Sequence, residues 1–133
     1  PRFVAQRKLE QTQASINEAL EMFGAEFRVD ADDGLSFKAS FRNGSVQPAE
    51  RLSGGQKVIL ALSFRLALNL MFAENIGVLY LDEPTAWLDE ETIRGFEPVL
   101  QRLRDYSATR GLQVIMVTHE RTLATLFDTV INL

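Results

Sequence analysis

Cysteine is absent from the chain and histidine occurs once, at His119. The first absence excludes a disulfide framework and any thiolate metal site and is compatible with a reducing compartment, and the second excludes a histidine-rich metal site. An excess of positive charge is missing too. With a formal net charge of −4 the chain cannot coat nucleic acid through bulk charge, so any such contact has to be a local basic face. The most apolar stretch, Val58 to Ala73, is broken by Arg65 and Asn69 and falls short of the roughly 20 residues of a membrane span. Neither a membrane segment nor a signal peptide is visible. What is present is a chain of 133 residues, 46% of them apolar, enough for the core of one domain or part of one. It begins at Pro1 without an initiator methionine and stops just after an apolar run, as an excised fragment would.

From Phe3 to Phe23 the residues favour a helix, with Leu9, Ile16 and Phe23 on one seam and polar Thr12 or Gln13 at the second. That pattern fits the end of a coiled coil and an ordinary surface helix equally well. Phe27 to Asp30 and Leu35 to Arg42 flank Asp32-Asp33-Gly34, and Leu35, Phe37, Ala39 and Phe41 alternate with polar residues, which predicts a β-hairpin with one buried face. Asn43-Gly44 marks a turn, and Gln47-Pro48-Ala49-Glu50 leads into a glycine motif. A helix from Gly54 to Phe72 and a short strand, Val78 to Leu81, follow. Asp89 is a good N-cap for the next helix, with Glu90 and Glu91 in its first turn, Ile93, Phe96, Leu100 and Leu103 on one face, and Pro98 expected to kink or split it. After Gly111 come a strand from Leu112 to Val117, a short helix from Arg121 to Phe127 and a last strand from Thr129 to Leu133. Alternating strands and helices predict an α/β fold with a largely parallel sheet, whose ligand crevice lies beyond the C-terminal ends of the strands.

Chemistry concentrates at two places. Leu52-Ser53-Gly54-Gly55-Gln56 puts a hydroxyl and two glycines at a helix N-terminus. Each glycine costs up to about 1 kcal/mol in a helix, and close approach of an anion to bare backbone N–H groups is one reason to keep both. Ser53 with Gln56 also fits a capping box, which needs no ligand. Asp82 and Glu83 directly follow the first core strand, and Thr118-His119 the second, so both sets point at one edge. Asp82 is suited to Mg²⁺ beside a nucleotide. Glu83, preceding Pro84, is expected to be extended, which turns its carboxylate away from that of Asp82 and lets it orient and deprotonate a water.

The ordered set Leu52-Ser53-Gly54-Gly55-Gln56, Val78-Leu79-Tyr80-Leu81-Asp82-Glu83-Pro84, Trp87-Leu88-Asp89 and His119 resembles the signature motif, Walker B, D-loop and switch histidine of ABC-type ATPases. The flanking text, with a helix and hairpin before the signature, resembles the SMC-related, coiled-coil DNA-repair ATPases of the SbcC and Rad-fifty type. The resemblance implies the C-terminal half of an ABC ATPase head, a P-loop NTPase-like fold. Asp82 would hold Mg²⁺, Glu83 would be the general base for ATP hydrolysis, and His119 would contact the γ-phosphate. Ser53, Gly54, Gly55 and Gln56 would bind the γ-phosphate of ATP held by the opposing protomer, Asp89 would couple the two sites, and Arg65 would relay ATP state toward the coil. No G-x-x-x-x-G-K-[ST] occurs, since Lys8, Lys38 and Lys57 do not follow glycine. The phosphate loop therefore belongs to an N-terminal Walker A lobe, and the glutamine loop is missing with it.

On this resemblance the chain divides into a helix at 1–24 that is a candidate coiled-coil base, a β-hairpin and linker at 25–51, and the C-terminal ATPase lobe at 52–133. The implied activity is ATP hydrolysis by a head that dimerises with ATP and acts in DNA double-strand-break repair or recombination. The implied partners are the N-terminal lobe, a second head, a nuclease of the Mre-eleven or SbcD type, and DNA, with no membrane. The implied location is cytoplasmic or nucleoid-associated, nuclear in a eukaryote. A chromosome-organising SMC head and a transporter subunit are the alternatives within the superfamily. A non-catalytic interaction module is the alternative outside it, and Asp82, Glu83 and His119 together argue against that.

Overall fold

The computed structural model describes residues 2–32, 36–72 and 76–133. The first helix, α1 (Arg2–Met22), turns its stripe Ile16, Ala19, Leu20 and, just past its end, Phe23 into the core, while Phe3 and Val4 stay exposed. That i, i+3, i+4, i+7 pattern is what one packed helix face requires. The polar interruption at Gln13 has a structural reason. Gln13 and Asn17, one turn apart, lie along the free edge of β1 (Phe27–Ala31). Asn17 accepts the N–H of Val29 at 2.8 Å and donates to its carbonyl at 2.9 Å, and Gln13 Oε1 accepts the N–H of Ala31 at 2.9 Å. These side chains close a strand edge that would otherwise present bare donors and acceptors.

Strand β1 pairs antiparallel with β2 (Phe37–Phe41), as the alternation predicts, with Val29 opposite Ala39 and both fully buried. The hairpin turn assigned to Asp32-Asp33-Gly34, and the strand start at Leu35, involve residues 33–35, which lie outside the described residues. A third strand, β3 (Val46–Pro48), pairs antiparallel with β2 across the Asn43-Gly44 turn, where the sequence shows only a lead-in to the glycine motif. It gives no alternating signal because Val46 is exposed and Pro48 occupies an edge strand, the one place in a sheet that tolerates proline. A 3₁₀ turn, Ala49–Arg51, then delivers buried Leu52 ahead of α2 (Gly54–Phe72).

Strand β4 (Val78–Asp82), helix α3 (Glu90–Arg110) and strand β5 (Gln113–Val117) form a parallel β–α–β unit, with Val78 opposite Gln113 and Asp82 opposite Val117. Helix α3 starts at the Asp89 cap and ends on Gly111 in the left-handed conformation, φ +64°. Contrary to expectation, Pro98 does not split it: one helix runs from Glu90 to Arg110. Pro98 is exposed, so the Arg94 carbonyl it leaves unbonded can face water, and the cost of about 3 kcal/mol is outweighed by burying Ile93, Phe96, Val99, Leu100 and Leu103. Each of those contributes about 1.5–3 kcal/mol.

After the 3₁₀ segment Arg121–Leu126, residues Thr129–Leu133 form no strand, again contrary to expectation. Val130 and Ile131 are exposed, and among the described residues no strand pairs with this segment to give it the ladder a strand needs. Among the described residues the parallel sheet thus has two strands. Two apolar clusters share α1 and α2. One gathers Phe23, Leu62, Leu66, Leu79, Leu81 and the buried face of α3; the other gathers Ile16, Leu20, Phe27, Val29, Leu52 and Ala67.

By length and composition α2 is apolar enough to cross a membrane, which the broken run Val58 to Ala73 does not suggest. One side of it packs into this fold, while much of the rest, Phe72 included, is exposed. Leu62, Ser63, Leu66 and Ala67 are buried, Asn69 Nδ2 donates to the Val78 carbonyl at 2.8 Å, and Arg65 Nη1 reaches that of Tyr80 at 3.4 Å. Those two donors, one turn apart, close the outer edge of β4 as Gln13 and Asn17 close that of β1.

Candidate functional site

Because β4 and β5 are parallel and in register, their C-terminal ends stand side by side, and the residues leaving them meet. The Glu83 N–H donates to the Val117 carbonyl at 2.8 Å, which extends the ladder by one rung. Its carboxylate Oε1 lies 3.2 Å from Nε2 of His119, whose ring is otherwise open to solvent. Thr118 braces the turn from the other side, its hydroxyl accepting the Glu120 N–H at 3.0 Å. Asp82 ends β4 with an exposed carboxylate that has no hydrogen bond or ion pair among the described residues.

The backbone of Glu83 departs from expectation. Pro84 biases it toward extended geometry, yet φ is +45°, in the left-handed region that non-glycine residues avoid at a cost of about 1–3 kcal/mol. Local bias loses to two tertiary and turn constraints. The Val117 carbonyl fixes the N–H, and the chain must reverse at once so that the Glu83 carbonyl accepts the Ala86 N–H at 3.2 Å. Such strain persists only where the surrounding structure over-determines the backbone, as these two hydrogen bonds do here.

At the start of α2 the capping box is fully formed. Ser53 N–H donates to Gln56 Oε1 at 2.9 Å, and Gln56 N–H donates to Ser53 Oγ at 3.3 Å. Gly54 is exposed and Gly55 half-buried. Asp89, fully exposed, caps α3 by accepting the Thr92 N–H at 2.7 Å. The Thr92 side chain and that N–H hold the Asp89 carboxyl below the usual carboxylate range. The structure therefore brings Glu83 and His119 together beyond Asp82, and sets the Ser53-Gly54-Gly55 turn against the first turn of α3. No hydrogen bond or ion pair joins these two groups among the described residues.

Thr92 and Thr118 carry no motif of their own in the sequence. The available signal was position alone: Thr92 sits three residues after a capping aspartate, and Thr118 just before the histidine. No cluster of three metal-ligating side chains exists among the described residues. A single exposed, unpartnered carboxylate at a strand end nonetheless suits Mg²⁺, which keeps several waters and takes its remaining oxygens from phosphates.

No protein-family model matches the chain. It is 40% identical over 111 residues, 84% of its length, to a DNA double-strand break repair Rad50 ATPase of Aeropyrum pernix. It is 44% identical over 91 residues to the protein of the same name from Pyrococcus abyssi, and 42% identical over 71 residues to the DNA repair protein RAD50 of Dictyostelium discoideum. The chain spans only about a tenth of the archaeal relatives, 12% and 10% of their lengths. In three dimensions it superimposes with a TM-score of 0.74, at 21% identity, on a chain from a structural study of ATP-driven dimerization and DNA-stimulated activation of SMC ATPases; the match covers 99% of this chain and 81% of that one. The SMC head domain of Thermotoga maritima matches with a TM-score of 0.66 at 20% identity, over 90% of this chain and 41% of that one.

Proposed function

We propose that this chain, the C-terminal lobe of a Rad50/SMC-like head, supplies half of an ATP-hydrolysing site that acts in DNA double-strand-break repair. The observation that carries this reading is the Glu83–His119 contact at 3.2 Å, just beyond Asp82 at the ends of two parallel strands. In the proposed site Asp82 holds the magnesium ion, which when bound neutralises phosphate charge. Glu83 accepts the proton of the attacking water, and the exposed His119, which meets the Glu83 carboxylate through Nε2 in this structure, turns that N–H to the γ-phosphate when nucleotide binds. Ser53, Gly54, Gly55 and Gln56 present the start of α2 to ATP bound by an opposing head, where unpaired N–H groups favour an anion. Asp89 sits beside them as the residue that senses the opposing site.

The outer face of the parallel sheet supports a two-lobe head. Tyr80 is 52% exposed, and Ile115 and Val117 each 41%, whereas parallel sheets are normally covered on both faces. A lobe carrying the missing phosphate loop would cover that face. A second head, DNA and a nuclease are the further partners this reading requires, the nuclease near the exposed start of α1 if the coil continues there. The segments 1–24, 25–51 and 52–133 then serve as coil base, connecting sheet and ATPase lobe.

Steady-state ATP hydrolysis tests the proposal. The chain alone should hydrolyse ATP negligibly, and a head reconstituted with a lobe bearing the phosphate loop should do so with a magnesium requirement. Turnover by the isolated chain, or none by the reconstituted head, would overturn it.

A further inference from the structure

The two glycines that open α2 face a neighbour on their own chain. A Cβ on Gly55 would fall 2.9 Å from Cγ2 of Thr92, and one on Gly54 would fall 3.1 Å from Cδ2 of Leu88. The two contacts differ in how easily they relax. Leu88 presents the end of a side chain with two rotatable bonds, whereas Thr92 is β-branched and its hydroxyl is held by the Asp89 carboxyl, so turning the methyl away from Gly55 gives up that bond. Thr92 also holds Asp89, through its backbone N–H at 2.7 Å. One residue therefore touches both the glycine turn and the capping aspartate, although the two motifs lie on different helices.

We propose that Thr92 is a positioning residue that locks Asp89 to the Ser53-Gly54-Gly55 turn, its methyl occupying the space that the absent Gly55 side chain leaves. Gly55 is glycine because Thr92 needs that room, and the two motifs move as one body when a head closes on nucleotide. The functional half of this inference rests on the ATPase reading above; the packing half does not. Any substituent at Gly55 displaces Thr92, and with it the cap that orients Asp89.

The test is a rescue. In reconstituted heads, Gly55→Ala should weaken dimerisation driven by a non-hydrolysable ATP analogue by about tenfold or more, ~1.4 kcal/mol, because the displaced Thr92 turns Asp89 out of the position that meets the opposing head. Gly54→Ala should cost less. Adding Thr92→Ser to Gly55→Ala removes the clashing methyl while keeping the hydroxyl and the N–H, and should restore dimerisation. Adding Thr92→Val keeps the methyl and should not. ATP binding to the undimerised head should be the same in all of them. Melting curves of the chain alone should follow the same order, with Gly55→Ala lowered and recovered by Thr92→Ser. If Thr92→Ser recovers neither dimerisation nor the melt, or if Thr92→Val recovers them equally, the lock is wrong and Gly55 is kept for another reason. If the melt recovers but wild-type heads never respond to the analogue, the packing stands and the ATPase reading fails.

Discussion

Replacing Ser53 separates a helix cap from a phosphate clamp, because the structure lets each contribution be sized. Only one of the two capping-box bonds uses the serine side chain, the Gln56 N–H to Oγ bond at 3.3 Å, and it is exposed and long for its type. The other runs from the Ser53 backbone to Gln56 Oε1 and survives substitution. Ser53→Ala should therefore cost the low end of the capping range, about 0.5–1 kcal/mol, and lower the melting midpoint by about 2–4 °C. A pure cap is lost equally from the free and the dimerised head, so dimerisation would be unchanged. A clamp behaves differently. In a two-fold dimer the residue meets ATP twice, and each hydrogen bond to a charged phosphate contributes about 1.5–3 kcal/mol. The dimerisation constant should then fall by about 10²–10⁴-fold for two lost bonds. Ser53→Arg adds bulk at the same point and should abolish dimerisation, while ATP binding to the single head is spared because the phosphate loop lies on the other lobe. Sedimentation of reconstituted heads with and without a non-hydrolysable analogue, beside melting curves, measures both quantities. A Ser53→Arg head that dimerises like wild type would refute the clamp and leave the motif a helix cap.

In the same heads Glu83→Gln should preserve ATP binding and slow hydrolysis by about 10²–10⁴-fold, the usual contribution of a general base, so that the ATP-bound dimer persists; wild-type turnover would move the base elsewhere. Asp82→Asn should differ by weakening magnesium-dependent ATP binding as well as turnover, and isothermal titration with and without magnesium would expose an assignment that is wrong. Thr85, 1% exposed, has a hydroxyl with no hydrogen-bond partner among the described residues. Thr85→Val keeps the shape and removes that desolvated group, so it should stabilise the chain by about 1 kcal/mol; a lowered melting point would show that the hydroxyl is satisfied in solution.

The local elements were legible in the sequence wherever one rule acted alone. The Asp89 cap, the Gly111 stop, the span of α2, the alternation in β2 and the capping box at Ser53 each follow from side chains within a few residues of one another. The order of motifs likewise placed Asp82 and Glu83 on one strand end and His119 on the next without reference to coordinates. Long-range packing decided the rest. Gln13 looks like a flaw in a coiled-coil seam until β1 arrives and the Ala31 N–H donates to its side chain. Pro98 looks like a break until the buried face of α3 outweighs one lost bond. Glu83 looks extended until the Val117 carbonyl captures its N–H and forces φ to +45°. Thr129 to Leu133 look like a strand, and stay unpaired because strand formation depends on a ladder that sequence proximity cannot supply. Gly55 and Thr92 are far apart in sequence, so only folding reveals that the room left by one is filled by the other.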